Sequence, residues 1–405
     1  MDRRKFLGSS TKQLVLLNLM GLATTKAMAN KNNQETVNEN KSIQYRVLGR
    51  TGIKIPIVSM GVMNANNPNL IKGAWESGMR HFDTAWDYQN GNNEIMIGNV
   101  FNDLNIRRKD FTISTKITLE GASVSNGKQR KKLFLERFDE SLSRLRMDYV
   151  DILYYHAASE PEQTNDPYIM EAFTELKANK KIRFAGFSTH SYWPDLVIDA
   201  VDKNFYDVIL LSFNYSMFQD QKVFDTLELA YKAGIGLIAM KTQCHQDWYK
   251  RDLPEDQQKY YEEHRMNAAL LKWALRYEFI TTAIPGFTTY QQLEEDISVA
   301  YDLSFTKEEE EFFESKDVKL AIQSVCRHCG KCISSCPNNV DIPSLMRTHM
   351  YSLSYGNLLK AKQTLSQIES GKGLDICKDC GECTGKCHFR VPVQNHIHDL
   401  KEIYC

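Results

Sequence analysis

Eight cysteines fall into two runs of one spacing. The first, CRHCGKCISSCP, carries Cys326, Cys329, Cys332 and Cys336 ahead of Pro337. The second, CKDCGECTGKCH, carries Cys377, Cys380, Cys383 and Cys387 ahead of His388. Two residues between successive thiolates, then three before a fourth, is a spacing that wraps a [4Fe–4S] cluster, so two runs imply two clusters. Zinc takes C-x-x-C pairs and disulfides suit exported chains, but two matching runs of four fit clusters far better. Of the two remaining cysteines, Cys405 reads as a bystander. Cys244, beside His245 in KTQCHQDW, would ligate, react or simply line a loop.

A second constellation lies upstream. Asp83, Tyr88, Lys116 and His156 sit at or just after the ends of successive apolar runs. A buried ammonium beside a phenol favours the phenolate and draws its pKa down from about 10. Asp83 would hold that ammonium, and His156 would steer a carbonyl by a hydrogen bond. Tyr88 would then be a general acid for a carbonyl that receives hydride. Each residue alone is weak evidence, since a strand-end histidine or an Asp–Lys pair is commonly structural. Four at one end of successive strands are more specific.

The elements that must place them alternate. Strand-length apolar runs occur at 57–63, 81–85, 111–117, 151–156, 182–188, 207–213, 236–242 and 281–286. Amphipathic segments such as KKLFLERFDESLSRL (131–145) and HRMNAALLKWALRY (264–277) lie between them. Apolar strands alternating with helices predict a parallel sheet covered by helices. Eight units predict an α/β chain folded as a (β/α)8 TIM barrel, with chemistry at the carboxyl ends of its strands. A doubly wound open sheet is the alternative, but no G-x-G-x-x-G opens the first helix. YRVLGRTGIKIP (45–56) reads as a hairpin turned by Gly49 and Gly52 that plugs the barrel bottom. Residues 340–371, between the cysteine runs, read as spacing helices, so the tail is a small α-rich domain. The acidic run Glu308–Glu311 reads as a solvated helix start.

HFDTAWDYQNGNNEIMIGNVF (81–101), STK (114–116), DILYYH (151–156), GFS (186–188) and IPG (284–286) together resemble the aldo-keto reductases. The resemblance covers roughly 44–315. It implies a (β/α)8 barrel and reversible, nicotinamide-dependent reduction of carbonyls. Its catalytic tetrad falls on Asp83, Tyr88, Lys116 and His156. Its cofactor positions fall on Ser188, Thr189, Met240, Gly286 and Thr288, with departures. Thr189 stands for an asparagine, Leu210 for a glutamine and Met240 for a stacking aromatic. IPGFTTYQQLEED offers no basic residue for a 2′-phosphate, and Glu294, Glu295 and Asp296 close it, so NADP is disfavoured and NAD(H) remains. A helix N-terminus near Thr289 would receive a pyrophosphate. Trp86 and Trp248 would wall a substrate pocket or serve the core. The tail resembles the ferredoxin-like extension of some bacterial members. In that pattern the fourth cysteine of each run crosses over, giving Cys326, Cys329, Cys332 and Cys387 for one cluster and Cys377, Cys380, Cys383 and Cys336 for the other.

MDRRKFLGSS places Arg3 and Arg4 before a short apolar run, Leu14–Ala23, and Ala27-Met28-Ala29 follows. This resembles a twin-arginine export signal over residues 1–29, which predicts a periplasmic or cell-envelope protein, the alternative being a cytoplasmic one. Residues 30–43 predict a disordered linker, 44–318 the barrel and 319–405 the ferredoxin-like domain. No further apolar stretch is long enough to span a membrane. With 50 Lys and Arg against 51 Asp and Glu, and no basic stripe, nothing argues for nucleic acid.

The leading expectation is an exported oxidoreductase that couples hydride transfer on a small-molecule carbonyl or alcohol to the clusters and a redox partner protein. One rival is an electron-transfer protein whose barrel is a docking scaffold without nicotinamide turnover. A weaker one is an exported binding protein that uses the pocket for recognition alone.

Overall fold

The computed structural model describes residues 42–119, 124, 126–243, 266–316, 318–319, 325–377, 380 and 383–405. The signal, most of the linker, and Cys244, His245 and Trp248 lie outside them. Among the described residues no helix is long and apolar enough to cross a membrane.

The apolar runs become strands where expected. After a hairpin of β1 (Tyr45–Val47) and β2 (Lys54–Pro56) come eight parallel strands among the described residues. They are β3 (Met60–Gly61), β4 (His81–Asp83), β5 (Thr112–Ile117), β6 (Val150–Tyr155), β7 (Ile182–Thr189), β8 (Val208–Ser212), β9 (Gly236–Met240) and β10 (Thr282–Ala283). Each pairs with the next in chain order. The sheet also curls until its edges meet. Val58 bridges Ala283 in parallel, and the Ser59 and Gly61 N–H groups donate to the carbonyls of Ala283 and Pro285 at 2.9 Å each. Closure at this seam needs Gly61, because a Cβ there would lie 2.7 Å from the Ile284 carbonyl oxygen.

Helices cover the outside. They are α1 (Pro68–Glu76), α2 (Asn92–Asp103), α3 (Gly127–Leu145), α4 (Pro167–Ala178), α5 (Pro194–Lys203), α6 (Gln221–Lys232), α7 (Asn267–Leu275) and α8 (Tyr290–Val299). Helix α3 starts four residues before the amphipathic pattern at 131, because Asn126 caps it by accepting the Gln129 N–H at 3.0 Å. Its Phe134, Phe138 and Leu142 sink into the core between sheet and helices. Truncating a buried phenylalanine such as Phe138 to alanine costs about 3–5 kcal/mol. The hairpin does plug the barrel: Leu48, Ile53 and Ile55 pack with Ile152, Tyr154, Val208, Leu210 and Ile238 in the interior. Gly52 turns it with φ 70°.

Helix α9 (Lys307–Glu314) starts on the acidic run, capped by Thr306. One member is not solvated, because Glu309 is buried and bound by Lys272 at 2.8 and 2.9 Å. The tail then builds α10 (Ile342–His349), a π-turn (Met350–Ser354), α11 (Leu358–Gln367) and α12 (Val393–Tyr404). Its small core gathers Leu345, Met346, Val393, Ile397 and Leu400 around Cys332 and Cys377. His349 stacks on His396 at 3.9 Å and bonds Asp399 at 2.8 Å.

The tail packs on the carboxyl ends of the barrel strands. Lys360 pairs with Asp87 at 2.6 Å, Asn357 bonds Asn64 at 2.9 Å, and Gln363 bonds Asn90 at 2.9 Å. The Tyr192 N–H donates to the His328 carbonyl at 3.3 Å, and Arg327 donates to the Ser216 carbonyl.

Candidate active site and cysteine-lined cavity

Parallel pairing delivers three of the four residues named from the sequence to one end of the sheet. Asp83 is the last residue of β4, Lys116 is next to last in β5, and His156 follows β6. Tyr88 opens a tight turn, Tyr88–Gly91, in which Gln89 and Asn90 have left-handed φ of 51° and 54°. Gln89 anchors that turn by donating to the Met63 and Ala65 carbonyls at 3.2 and 3.1 Å. All four side chains are buried.

Their contacts fix the electrostatics. The Lys116 ammonium is held by the Asp83 carboxylate and by the Thr84 carbonyl at 2.7 Å, and it lies 3.4 Å from the Tyr88 hydroxyl. Ser114 donates to the other Asp83 oxygen at 2.6 Å. Burial pulls the Lys116 ammonium below its ordinary pKa, with Asp83 opposing. Tyr88 departs from expectation: its pKa is raised well above the ordinary value, first by burial and then by Asp83 and Asp87. One ammonium already spent on a carboxylate does not offset burial and two nearby carboxylates. At rest Tyr88 is therefore a protonated phenol.

Asp87 is a residue the sequence reading missed, although it directly precedes Tyr88. One oxygen takes Lys360 of the tail; the other lies 3.3 Å from His156 Nδ1, without the alignment of a hydrogen bond. Burial opposes ionisation of Asp87, yet the Lys360 ammonium holds its carboxyl well below the usual range. Burial, more than any neighbour, lowers the His156 pKa, so its imidazole is neutral at neutral pH. Trp86 is not among the residues that line the cavity at the tetrad and packs against the core instead. It donates to Glu140 at 2.7 Å and lies under Arg137 at 4.2 Å.

A cavity of about 320 Å³ runs from Asp83 and Tyr88 past Met240, Lys241 and Thr242 to Gly286, Thr288 and Gln292. Of the proposed cofactor positions, Met240, Gly286 and Thr288 line it. Ser188 and Thr189, which precede the lining residue His190, are buried: Ser188 accepts the Ala157 N–H at 3.0 Å, and the Thr189 hydroxyl has no hydrogen-bond partner among the described residues. The Thr242 hydroxyl in the lining is also buried and has no partner among the described residues, which suits a polar ligand. Leu210 fills the barrel interior.

Helix α8 does start after Thr289, but the Gln292 side chain already accepts the Thr288 and Thr289 N–H groups at 2.8 and 3.3 Å. Asp296 is not the open charge expected of it. Gln243 donates to it, and burial, aided by Glu295, raises its pKa to about 8. Tyr351, Ser354 and Tyr355 of the tail line the same cavity, and no sequence signal marked them.

The cysteines gather across the runs. Cys336 of the first run lines a cavity of about 540 Å³ with Cys377, Cys380 and Cys383 of the second. Cys387 of the second run lies among Cys326, Cys329 and Cys332, near enough to raise the Cys326 thiol. Burial first, then these neighbours, push Cys326 up to about 12 and Cys332 and Cys377 to about 11. Such crowded, buried thiols ionise only against added positive charge, which an iron–sulfur core supplies, and the cavity exceeds one ion. The His328 and Phe389 N–H groups point at Cys326 and Cys387 sulfur at 3.4 and 3.3 Å.

Comparison with known proteins gives two regions. Residues 62–317 match the aldo/keto reductase family, and residues 325–392 match a 4Fe–4S dicluster domain. L-galactose dehydrogenase of Arabidopsis thaliana is 27% identical over 297 residues, which is 64% of this chain and 89% of that protein. A Schizosaccharomyces pombe protein described as a voltage-gated potassium channel subunit beta is 31% identical over 37% of this chain. The chain spans 46% of the length of that relative. Among solved structures, an aldo-keto reductase from Bacillus halodurans in its holo form aligns with TM-score 0.55 and 20% identity. The alignment covers 71% of this chain and 98% of that one, and it speaks to the fold alone.

Proposed function

This oxidoreductase belongs to the aldo/keto reductase family and carries a 4Fe–4S dicluster domain, and on that premise we propose that it interconverts a small-molecule carbonyl and its alcohol at Tyr88. Its eight run cysteines would hold two [4Fe–4S] clusters, which would supply one-electron exchange with this site. The observation that carries the reading is the buried Asp83–Lys116–Tyr88 chain opening into the cavity.

In the reductive direction the Tyr88 hydroxyl gives its proton to the carbonyl oxygen. Lys116 stabilises the phenolate left behind, Asp83 keeps the ammonium in place, and neutral His156 positions the oxygen. A bound nicotinamide dinucleotide would supply or accept the hydride. Met240, Thr242, Gly286 and Thr288 would hold it, with Ser188 and Thr189 near its carboxamide. NAD is favoured over NADP because residues 284–296 offer no basic side chain. Lys241, which lines the cavity, is turned towards Met350 and the Tyr351 ring. The thiolate set supported by the crossed grouping is Cys326, Cys329, Cys332 and Cys387 for one cluster and Cys336, Cys377, Cys380 and Cys383 for the other. The twin-arginine start extends the reading to a protein exported after its clusters are inserted.

A second reading makes the barrel a scaffold for electron transfer. Leu210 in the interior and the tail residues over the cavity favour it. One measurement separates the two: denature anaerobically purified, cluster-loaded protein and identify any released nucleotide by mass spectrometry. Stoichiometric NAD supports the hydride reading. No nucleotide, and none bound on addition, leaves the scaffold.

A further inference from the structure

Beside the catalytic cavity lies a smaller one, of about 20 Å³, built jointly by barrel and tail. Asp87, Thr118, His156 and His190 contribute from the barrel; Arg347, Tyr351 and Lys360 contribute from the tail. Tyr351 and His190 also line the larger cavity, so the two adjoin.

The charges in the small cavity do not balance. Lys360 is neutralised by Asp87 at 2.6 Å. Arg347 is half-buried, and its guanidinium forms no hydrogen bond or ion pair with any other described residue. His156 and His190 add no charge, since burial lowers both imidazoles, and nearby cations lower His190 further. The lining therefore carries one uncompensated positive charge, on a planar donor set that matches an oxyanion. The Nδ1 atom of His190 is buried here without a hydrogen-bond partner among the described residues, and that of His156 has only the Asp87 carboxylate at 3.3 Å. Arg347 thus shares a cavity lining with these polar atoms and leaves a donor set that a ligand oxyanion would complete.

We propose that Arg347, delivered by the cluster-bearing tail, binds a carboxylate on the substrate, so that the enzyme acts on hydroxy acids and their oxo-acid partners. The inference rests on carbonyl chemistry at Tyr88 and deepens it. With the carboxylate on Arg347 in the cavity that His156 lines, the rest of the substrate extends past His190 and Tyr351 into the larger cavity, which Tyr88 lines. A carboxylate is favoured over a phosphate because the space is small and one charge, not two, is missing. The tail is then part of the substrate site as well as an electron carrier.

The test uses the full, cluster-loaded chain carrying Tyr88→Phe to stop turnover. Glucuronate, glycerate and lactate are titrated calorimetrically against glucuronamide, glyceramide and lactamide. At least one acid is expected to bind tenfold or more tightly than its amide. Arg347→Met should bring that acid down to its amide, Arg347→Lys should restore part of the difference, and unchanged cluster absorbance should show the tail intact. The proposal is overturned if no acid binds, if acid and amide bind alike, if Arg347→Met changes nothing, or if glycerol 3-phosphate is preferred. Turnover of neutral carbonyls without acid binding would remove this inference and leave the catalytic one. Acid binding without turnover in the unsubstituted protein would do the reverse.

Discussion

From Ile57 to Val318 the barrel is joined by one large apolar cluster, whereas the tail core is a handful of aliphatic side chains with Cys332 and Cys377 among them. The barrel can be stable on its own packing. The tail is too small for that and needs a staple. Burial thus organises one region and cysteine ligation would organise the other, and the candidate active site lies where they meet.

The largest expected effect breaks the comparison open. Cys377→Ser removes a thiol from the 540 Å³ cavity and should cost at least one cluster. Iron content should fall by half or more and limited proteolysis should cut the tail, while far-ultraviolet circular dichroism retains the barrel. Loss of both regions together would mean that the barrel depends on the clusters. Next is Tyr88→Phe, which should lower turnover by about 10²–10⁴-fold with both regions folded. Steady-state kinetics on the released alcohol or carbonyl would read it.

Lys360→Met probes the joint itself. It leaves Asp87 buried and unpaired, and losing one partner of such a pair costs about 3–5 kcal/mol, measurable by denaturant unfolding. Lys360 also lowers the His156 pKa while Asp87 raises it, so the variant should move the His156 limb of the pH–rate profile to higher pH. The smallest effect lies within the barrel. The Asp296 pKa is raised to about 8, so its contribution to stability is full below the ordinary carboxylate pKa of 3.8 and is lost as pH rises through about 8. Asp296→Asn should flatten that decline, with Tm measured across this pH window.

Much of the barrel was legible because strand-length runs such as TISTKI (112–117) signal burial on both faces wherever they pack. The tetrad positions were legible because strand ends share one face. The tail announced itself through cysteine spacing. Other features carried no local signal. Capture of the α8 amides by Gln292, burial of Asp296 and the raised Tyr88 pKa all depend on neighbours distant in sequence. So do Arg347, Tyr351 and Lys360, which reach the site only because the tail folds back onto the barrel mouth. Asp87 stood in plain view, but without Lys360 nothing distinguished it from a solvated carboxylate.

The order of the chain gives the covered mouth a consequence in time. Every strand of the barrel precedes the tail, so synthesis delivers the whole β-sheet before Tyr351 and Lys360 exist. Domains fold largely as they emerge. A newly made barrel therefore spends its first moments uncapped, and a large ligand can enter then without moving the tail. Once the cysteine runs fold, Tyr351, Ser354 and Tyr355 line the larger cavity as well. What the mature protein holds in the larger cavity is thus set partly by what surrounds it during its own synthesis.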